Sequence, residues 1–275
     1  MALTTIKRSI ISEGFDAFGT PDLKYYAFDW DDNIMFMPTE IILLDVNGNE
    51  IGMSTHDFAK YRSEIGKKPF RYKGTMVVDY ATNPFRNFRE NGDKQFLQDV
   101  KTGRPGPSWN DFVEAINNGS IFSIITARGH NPLTLKKAVN NLIRSNYNGI
   151  NSRSLIRNLK KYRDIMGTNE TDNELISNYL DLCEFYPVSF NNEENVKSPE
   201  QLKIEALAKF IKSVKRHAKI LKKKLYLKDN IKNKFIPSIG FSDDDPKNIE
   251  AIRKKFIKEP LLRTYLTNKG TKEKG

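Results

Sequence analysis

Three short apolar runs in this chain each stop abruptly at residues with chemistry to offer. Tyr25-Tyr26-Ala27-Phe28 ends at Asp29, with Asp31 and Asp32 close behind; Ile121 to Ile125 ends at Thr126; Ile236 to Phe241 ends at Ser242 and the acids Asp243, Asp244 and Asp245. Short bulky runs of this kind read as buried strands. The second run is followed by helical spacing over 132–144, at Leu133, Leu135, Val139, Leu142 and Ile143, and the third by a helix opened by Pro246 and reaching Ile257. Strand alternating with helix predicts an α/β domain built on a parallel sheet. In an open sheet of that class ligands bind at the carboxyl ends of the strands, so the polar residues after all three runs are expected in one crevice.

Other segments fill in the organisation. Residues 40–54 hold two apolar segments around Asn47-Gly48, a strong hairpin signal. Thr55 is expected to cap a short helix reaching about Glu64, and Met76 to Tyr80 reads as a strand. Between 82 and 107 only Lys94 to Val100 looks helical. Ser108 is expected to cap a helix with Trp109, Phe112, Val113 and Ile116 on one face, closing at Asn118-Gly119. Residues 151–182 read as polar helices, Phe185 to Phe190 as a strand, and Asn191 to Ser198 as a polar loop. A long helix from Pro199 carries Leu202, Ala206, Leu207, Phe210, Ile211 and Val214 on an apolar stripe, and Arg263 to Thr267 reads as the last strand.

Carboxylates that converge without neutralisation repel one another and have raised pKa values, so a hard divalent cation with oxygen ligands, Mg2+, is their natural partner. A carboxylate held beside Mg2+ can attack phosphorus, and a second acid two residues on can exchange protons with the leaving and attacking oxygens. An isolated Asp-x-Asp marks a solvated turn more often than a catalytic site; its combination with two further strand ends carries the argument.

Phe28-Asp29-Trp30-Asp31-Asp32-Asn33 resembles the first motif of the haloacid dehalogenase (HAD) superfamily, a hydrophobic strand followed by Asp-x-Asp. Ile121 to Thr126 with Ala127-Arg128-Gly129 resembles its second motif, and Ser242-Asp243-Asp244-Asp245-Pro246-Lys247-Asn248-Ile249-Glu250 its fourth. The resemblance implies a HAD-like Rossmannoid three-layer core with a parallel sheet, formed by residues 1–35, 108–149 and 185–267. It also implies cap insertions, here 36–107 with its hairpin and a helical one at 150–184, leaving 268–275 as a tail. It implies a Mg2+-dependent phosphohydrolase in which Asp29 is the nucleophile that forms an aspartyl-phosphate, Asp31 the general acid and base, and Thr126 a hydrogen-bond donor to the phosphoryl group. Asp29 and Asp243 would bind Mg2+ through their side chains, Asp31 through its backbone carbonyl, and Asp244 directly or through water. Members that cleave carbon–halogen bonds lack the second acid of motif one, so Asp31 argues for phosphate chemistry. The third motif is a lysine: Lys203 is the first choice, Lys197 the second, and Lys219 and Lys222 remain candidates. Asp32 and Asn33 stand where Gly and Thr are commoner.

The expected substrate is a phosphomonoester, a phosphorylated small molecule or a nucleic-acid end. Forty-five Lys and Arg against 34 Asp and Glu, a net +11, is the only support for nucleic acid, since such a surface attracts polyanions. Lys212, Lys215, Arg216, Lys219, Lys222, Lys223 and Lys224 form a positive helix face, either solvated or a nucleic-acid groove. Phe70, Tyr72, Tyr80, Phe85 and Phe88, interleaved with Arg71, Lys73, Arg86 and Arg89, are either a stacking surface for bases or the small core of the first insertion. Arg128 and His130 could contact phosphate or serve as cap and surface residues, while His56 and His217 have no metal-ligand spacing around them. A lone Cys183, the lack of a signal-peptide pattern in residues 1–12 and the lack of any apolar stretch long enough to span a bilayer predict a cytoplasmic protein with no membrane partner. The rival expectations are a non-catalytic basic nucleic-acid-binding or assembly protein on the same scaffold and a phosphotransferase. Oligomeric state is not legible in the sequence.

Overall fold

The computed structural model describes residues 22–190, 197–229, 236–268 and 273–274. The chain runs through β1 (Asp22–Phe28), β2 (Met35–Phe36), β3 (Glu40–Asp45), β4 (Glu50–Ser54), α1 (Thr55–Tyr61), β5 (Phe70–Tyr72), β6 (Thr75–Tyr80), α2 (Asp93–Thr102), β7 (Arg104–Pro105), α3 (Trp109–Asn118) and β8 (Phe122–Thr126). It continues through α4 (Pro132–Arg144), α5 (Ser152–Met166), α6 (Asp172–Leu182), β9 (Glu184–Pro187), α7 (Pro199–Asp229), β10 (Ile236–Asp243), α8 (Pro246–Lys255), β11 (Leu262–Leu266) and β12 (Glu273–Lys274).

The main sheet has the order β12-β11-β10-β1-β8-β9, with the pairs β11–β10, β10–β1, β1–β8 and β8–β9 all parallel and β12 antiparallel at the edge. It is an α/β fold with a five-stranded parallel sheet. The bulky run of β1 is buried on both faces, and the two-residue period of a strand divides it. Tyr26 and Phe28 face a layer made by α3, α4, α5 and α6, while Leu23, Tyr25 and Ala27 face α7 and α8. Phe112 of α3 anchors the first layer, its ring centroid 5.7 Å from Phe28 and 5.5 Å from Phe122, so truncating it to Ala is expected to cost about 3–5 kcal/mol. The helices of 150–184 belong to this same layer: Leu155, Leu159, Leu175, Ile176, Tyr179 and Leu180 share its core. On the other face, Ala206, Leu207, Phe210, Ile211 and Val214 form the buried stripe of α7.

A second sheet, β4-β3-β6-β5, is antiparallel throughout. Its β3–β4 hairpin turns through Asp45, whose carboxylate accepts from the amides of Asn47 and Asn49, and Gly48 takes φ +79°. This sheet has its own core of Ile41, Leu43, Met53, Ile65, Phe70, Tyr72, Val77 and Phe88.

Two expected caps are corrected. Ser54, not Thr55, caps α1: its Oγ accepts from the amide of Asp57, and the helix closes at Tyr61 rather than Glu64. Ser108 precedes α3 but makes no capping bond, because its hydroxyl is committed to Asn33 and Ser242 instead. Most of the 191–198 loop, and of the 268–275 tail, lies outside the described residues. Among the described residues no helix is long and apolar enough to cross a membrane.

Candidate active site

The register of the parallel pair β1–β10 builds the site. Phe28 stands opposite Ser242, and the Asp29 amide donates to the Ser242 carbonyl at 2.9 Å, so Asp29 and Asp243 leave neighbouring strands side by side. This is where the topology reverses: β8 and β9 follow on one side of β1, β10 and β11 on the other. Strand ends at such a point splay apart and leave a crevice. Carboxylate oxygens of Asp29, Asp243 and Asp244 lie within 4.8 Å of one another there.

Lys203, on the second turn of α7, reaches into the cluster. Its Nζ donates to Asp29 Oδ1 at 2.9 Å and to Asp243 Oδ2 at 2.7 Å, and it is only 2% exposed. Burial works against the ammonium, but Asp243 and Asp29 outweigh it and raise its pKa, so it stays charged. Lys197 instead donates to Glu205, and Lys219 and Lys222 are exposed on the outer face of α7. Asn248 of α8 donates to both oxygens of Asp243, at 3.0 and 3.1 Å, and the Asp245 amide donates to Oδ1 at 2.9 Å. Burial, with repulsion from Asp243 and Asp31, pushes the Asp29 carboxyl up to about 8 against the pull of Lys203, and burial with Asp243 and Asp29 raises Asp244. With all three carboxyls ionised against one ammonium, two negative charges are left for a divalent cation to balance. An all-oxygen donor set of this kind suits a hard cation.

Asp31 is held separately. Arg128 donates to it bidentately, Nε to Oδ2 and Nη2 to Oδ1, both at 2.7 Å. Neither Arg128 nor His130 is a surface residue: they are 1% and 0% exposed. The Arg128 guanidinium lies 4.6 Å from the ring centroid of Phe88 and 4.8 Å from that of Phe96, and also donates to Thr39 Oγ1. His130 Nε2 lies 3.0 Å from Arg128 Nη1, which can only donate, so Nε2 is the acceptor and Nδ1 donates to Asp93 at 2.8 Å. Burial, then Arg128, lowers the His130 pKa to about 4, consistent with this neutral tautomer.

Thr126 is 1% exposed at the end of β8 and lines the same cavity as Asp29, Asp31, Lys203 and Asp244, with a volume of about 340 Å³. Asp32 takes φ +53°, in the left-handed region that Gly adopts freely and Asp tolerates, so the turn closes without glycine. Asn33, fully buried, is a knot among strand ends. Its Nδ2 donates to the Asp29 carbonyl at 3.0 Å and to the carbonyl and Oγ of Ser242 at 3.1 and 3.0 Å; its Oδ1 accepts from Ser108 and Thr267. Neither this knot nor the Arg128 clamp was drawn from the sequence. The available signal was position alone, each residue sitting within a few places of a strand end. Trp30, beside Asp29, packs on Phe96 with centroids 5.5 Å apart.

Comparison with known proteins returned no matching family model, and no significant match among curated proteins or solved structures.

Proposed function

We propose that the protein is a HAD-like, Mg2+-dependent phosphohydrolase that cleaves a phosphomonoester through an aspartyl-phosphate on Asp29. The observation that carries this reading is the convergence of Asp29, Asp243, Asp244 and Lys203 at a sheet switch point beside Thr126 and Asp31. Asp29, Asp243 and Asp244 would hold Mg2+, which supplies charge neutralisation and polarises phosphate oxygens when bound. Lys203 offsets the charge of Asp29 and of the incoming phosphate, and the Thr126 hydroxyl donates to a phosphoryl oxygen.

An Asp29 carboxylate oxygen attacks phosphorus in line, the P–O bond to the leaving group breaks, and the leaving oxygen takes a proton from Asp31. Water then gives a proton to Asp31 and attacks the same phosphorus; the bond from phosphorus to Asp29 breaks, and the products are an alcohol or phenol and inorganic phosphate. Both oxygens of Asp31 accept from Arg128, which orients the carboxyl and leaves each oxygen a further lone pair for proton exchange, with Thr39 and His130 keeping the guanidinium in place.

The test is phosphate release from nucleotides, sugar phosphates, aryl phosphates and end-phosphorylated oligonucleotides, with Mg2+ or EDTA. Release that needs Mg2+ and disappears in Asp29→Asn is expected. No turnover, with salt-sensitive oligonucleotide binding unchanged in Asp29→Asn, points instead to a binding protein.

A further inference from the structure

We propose that the ester cleaved at this site carries a planar aromatic ring in its leaving group, a claim that rests on the phosphatase reading above. Besides the acidic cluster, the cavity is lined by Ile41 of β3, Phe58 and Ala59 of α1, and Phe85 and Phe88 just after β6. Phe58 and Phe85 meet edge to face with centroids 5.6 Å apart, and Phe85 continues to Phe88 at 6.4 Å. Phe88 in turn lies against Arg128, which grips Asp31, so the aromatic wall runs up to the residue that serves the leaving oxygen. Of the aromatics singled out in the sequence, Phe70, Tyr72 and Phe88 are buried in the second core, whereas Phe85 is 36% exposed and faces the cavity.

The two arginines on this wall are partly committed, Arg62 Nη2 to Asp245 at 3.0 Å and Arg89 Nη1 to the Ser189 carbonyl at 2.6 Å, and the rest of the wall is apolar. A polyhydroxyl leaving group set against Ile41, Phe58, Phe85 and Phe88 would lose its water to side chains that offer no hydrogen bond. A flat ring stacks on Phe58 and Phe85 and loses nothing comparable. The volume of about 340 Å³ fits a small ligand and not a folded polymer end. The ring is either bonded directly to the ester oxygen, as in an aryl phosphate, or set one sugar away, as in a mononucleotide.

The experiment compares kcat/KM for phenyl phosphate, a nucleoside 5′-monophosphate and glucose 6-phosphate, with acetyl phosphate as a reference that carries no ring. At least one aromatic ester is expected to exceed glucose 6-phosphate by roughly tenfold or more. The ratio of its kcat/KM to that of acetyl phosphate should fall by about tenfold in Phe85→Ala, and also in Phe58→Leu, which keeps bulk in the second core. Which ester wins separates the aryl from the nucleotide source. Asp29-dependent turnover of acetyl phosphate without aromatic preference, or an advantage unmoved in both variants, overturns the proposal and leaves the phosphatase reading standing. Failure to turn over any of the four overturns both.

Discussion

Arg62 Nη2 lies 3.0 Å from Asp245 Oδ2, and the other oxygen of Asp245 accepts the Lys247 amide that opens α8. One side chain thus caps a helix of the main sheet and fastens α1 of the second unit across the crevice. The pair is partly exposed, 34% and 21%, so it is worth under about 1 kcal/mol to stability. Arg62→Ala is therefore expected to leave the denaturation midpoint nearly unchanged while raising KM several-fold, because the wall it braces closes the cavity. An unchanged KM would show that the pair does not position that wall.

Asn33 makes five hydrogen bonds that join β1, β10, the start of α3 and the residue after β11. Asn33→Ala leaves buried carbonyl and hydroxyl groups without that partner, and the expected loss is about 2–4 kcal/mol, read from urea unfolding. A loss below about 1 kcal/mol would mean that water or neighbouring groups replace the knot.

Lys203 is the only cation among the described residues bonded directly to the Asp29–Asp243 pair, so Lys203→Met in EDTA is expected to destabilise the fold by about 3–5 kcal/mol. Mg2+ should recover part of that loss, and at a hundredfold excess over its Kd should stabilise the wild type by about 2.7 kcal/mol. The Mg2+ response should vanish in Asp244→Asn; persistence there would place the cation elsewhere.

His217 of α7 lies between two tyrosines, with Tyr25 Oη 2.8 Å from Nδ1 and Tyr162 Oη 2.9 Å from Nε2. Burial lowers its pKa from 6.5 to about 4. The unfolded chain therefore binds the proton more tightly, and the stability this residue contributes is present above about pH 6.5 and lost as pH falls toward 4. The shift corresponds to about 3 kcal/mol between neutral pH and pH 4, and His217→Gln should flatten that part of the pH–stability curve. Parallel curves for the two proteins would contradict the assignment.

The strands that matter most were legible because burial on both faces leaves a strand as an unbroken bulky run, and the abrupt stops at Asp29, Thr126 and Ser242 marked their carboxyl ends. Lys203 was less legible. Its partner Asp243 is 40 residues away, and the turns of α7 offer several lysines whose direction only the packed stripe at Leu207 and Phe210 decides. Arg128 reads in sequence like any arginine in a loop; its contact with Asp31 spans 97 positions and depends on how β1 and β8 pair. Among the aromatics, β5 buries Phe70 and Tyr72 and exposes Arg71 between them, as strand alternation requires. Phe85 escapes that pattern because it lies outside the strands, ahead of a short turn at 86–88.

The most direct measurement is acid quenching of the Mg2+-loaded protein during turnover of acetyl phosphate, followed by mass spectrometry of its peptides. A phosphoryl group is expected on the peptide containing Asp29, absent from Asp29→Asn, which should also release no phosphate. Phosphate release that continues in Asp29→Asn, or a phosphoryl group found on another residue, would contradict the account.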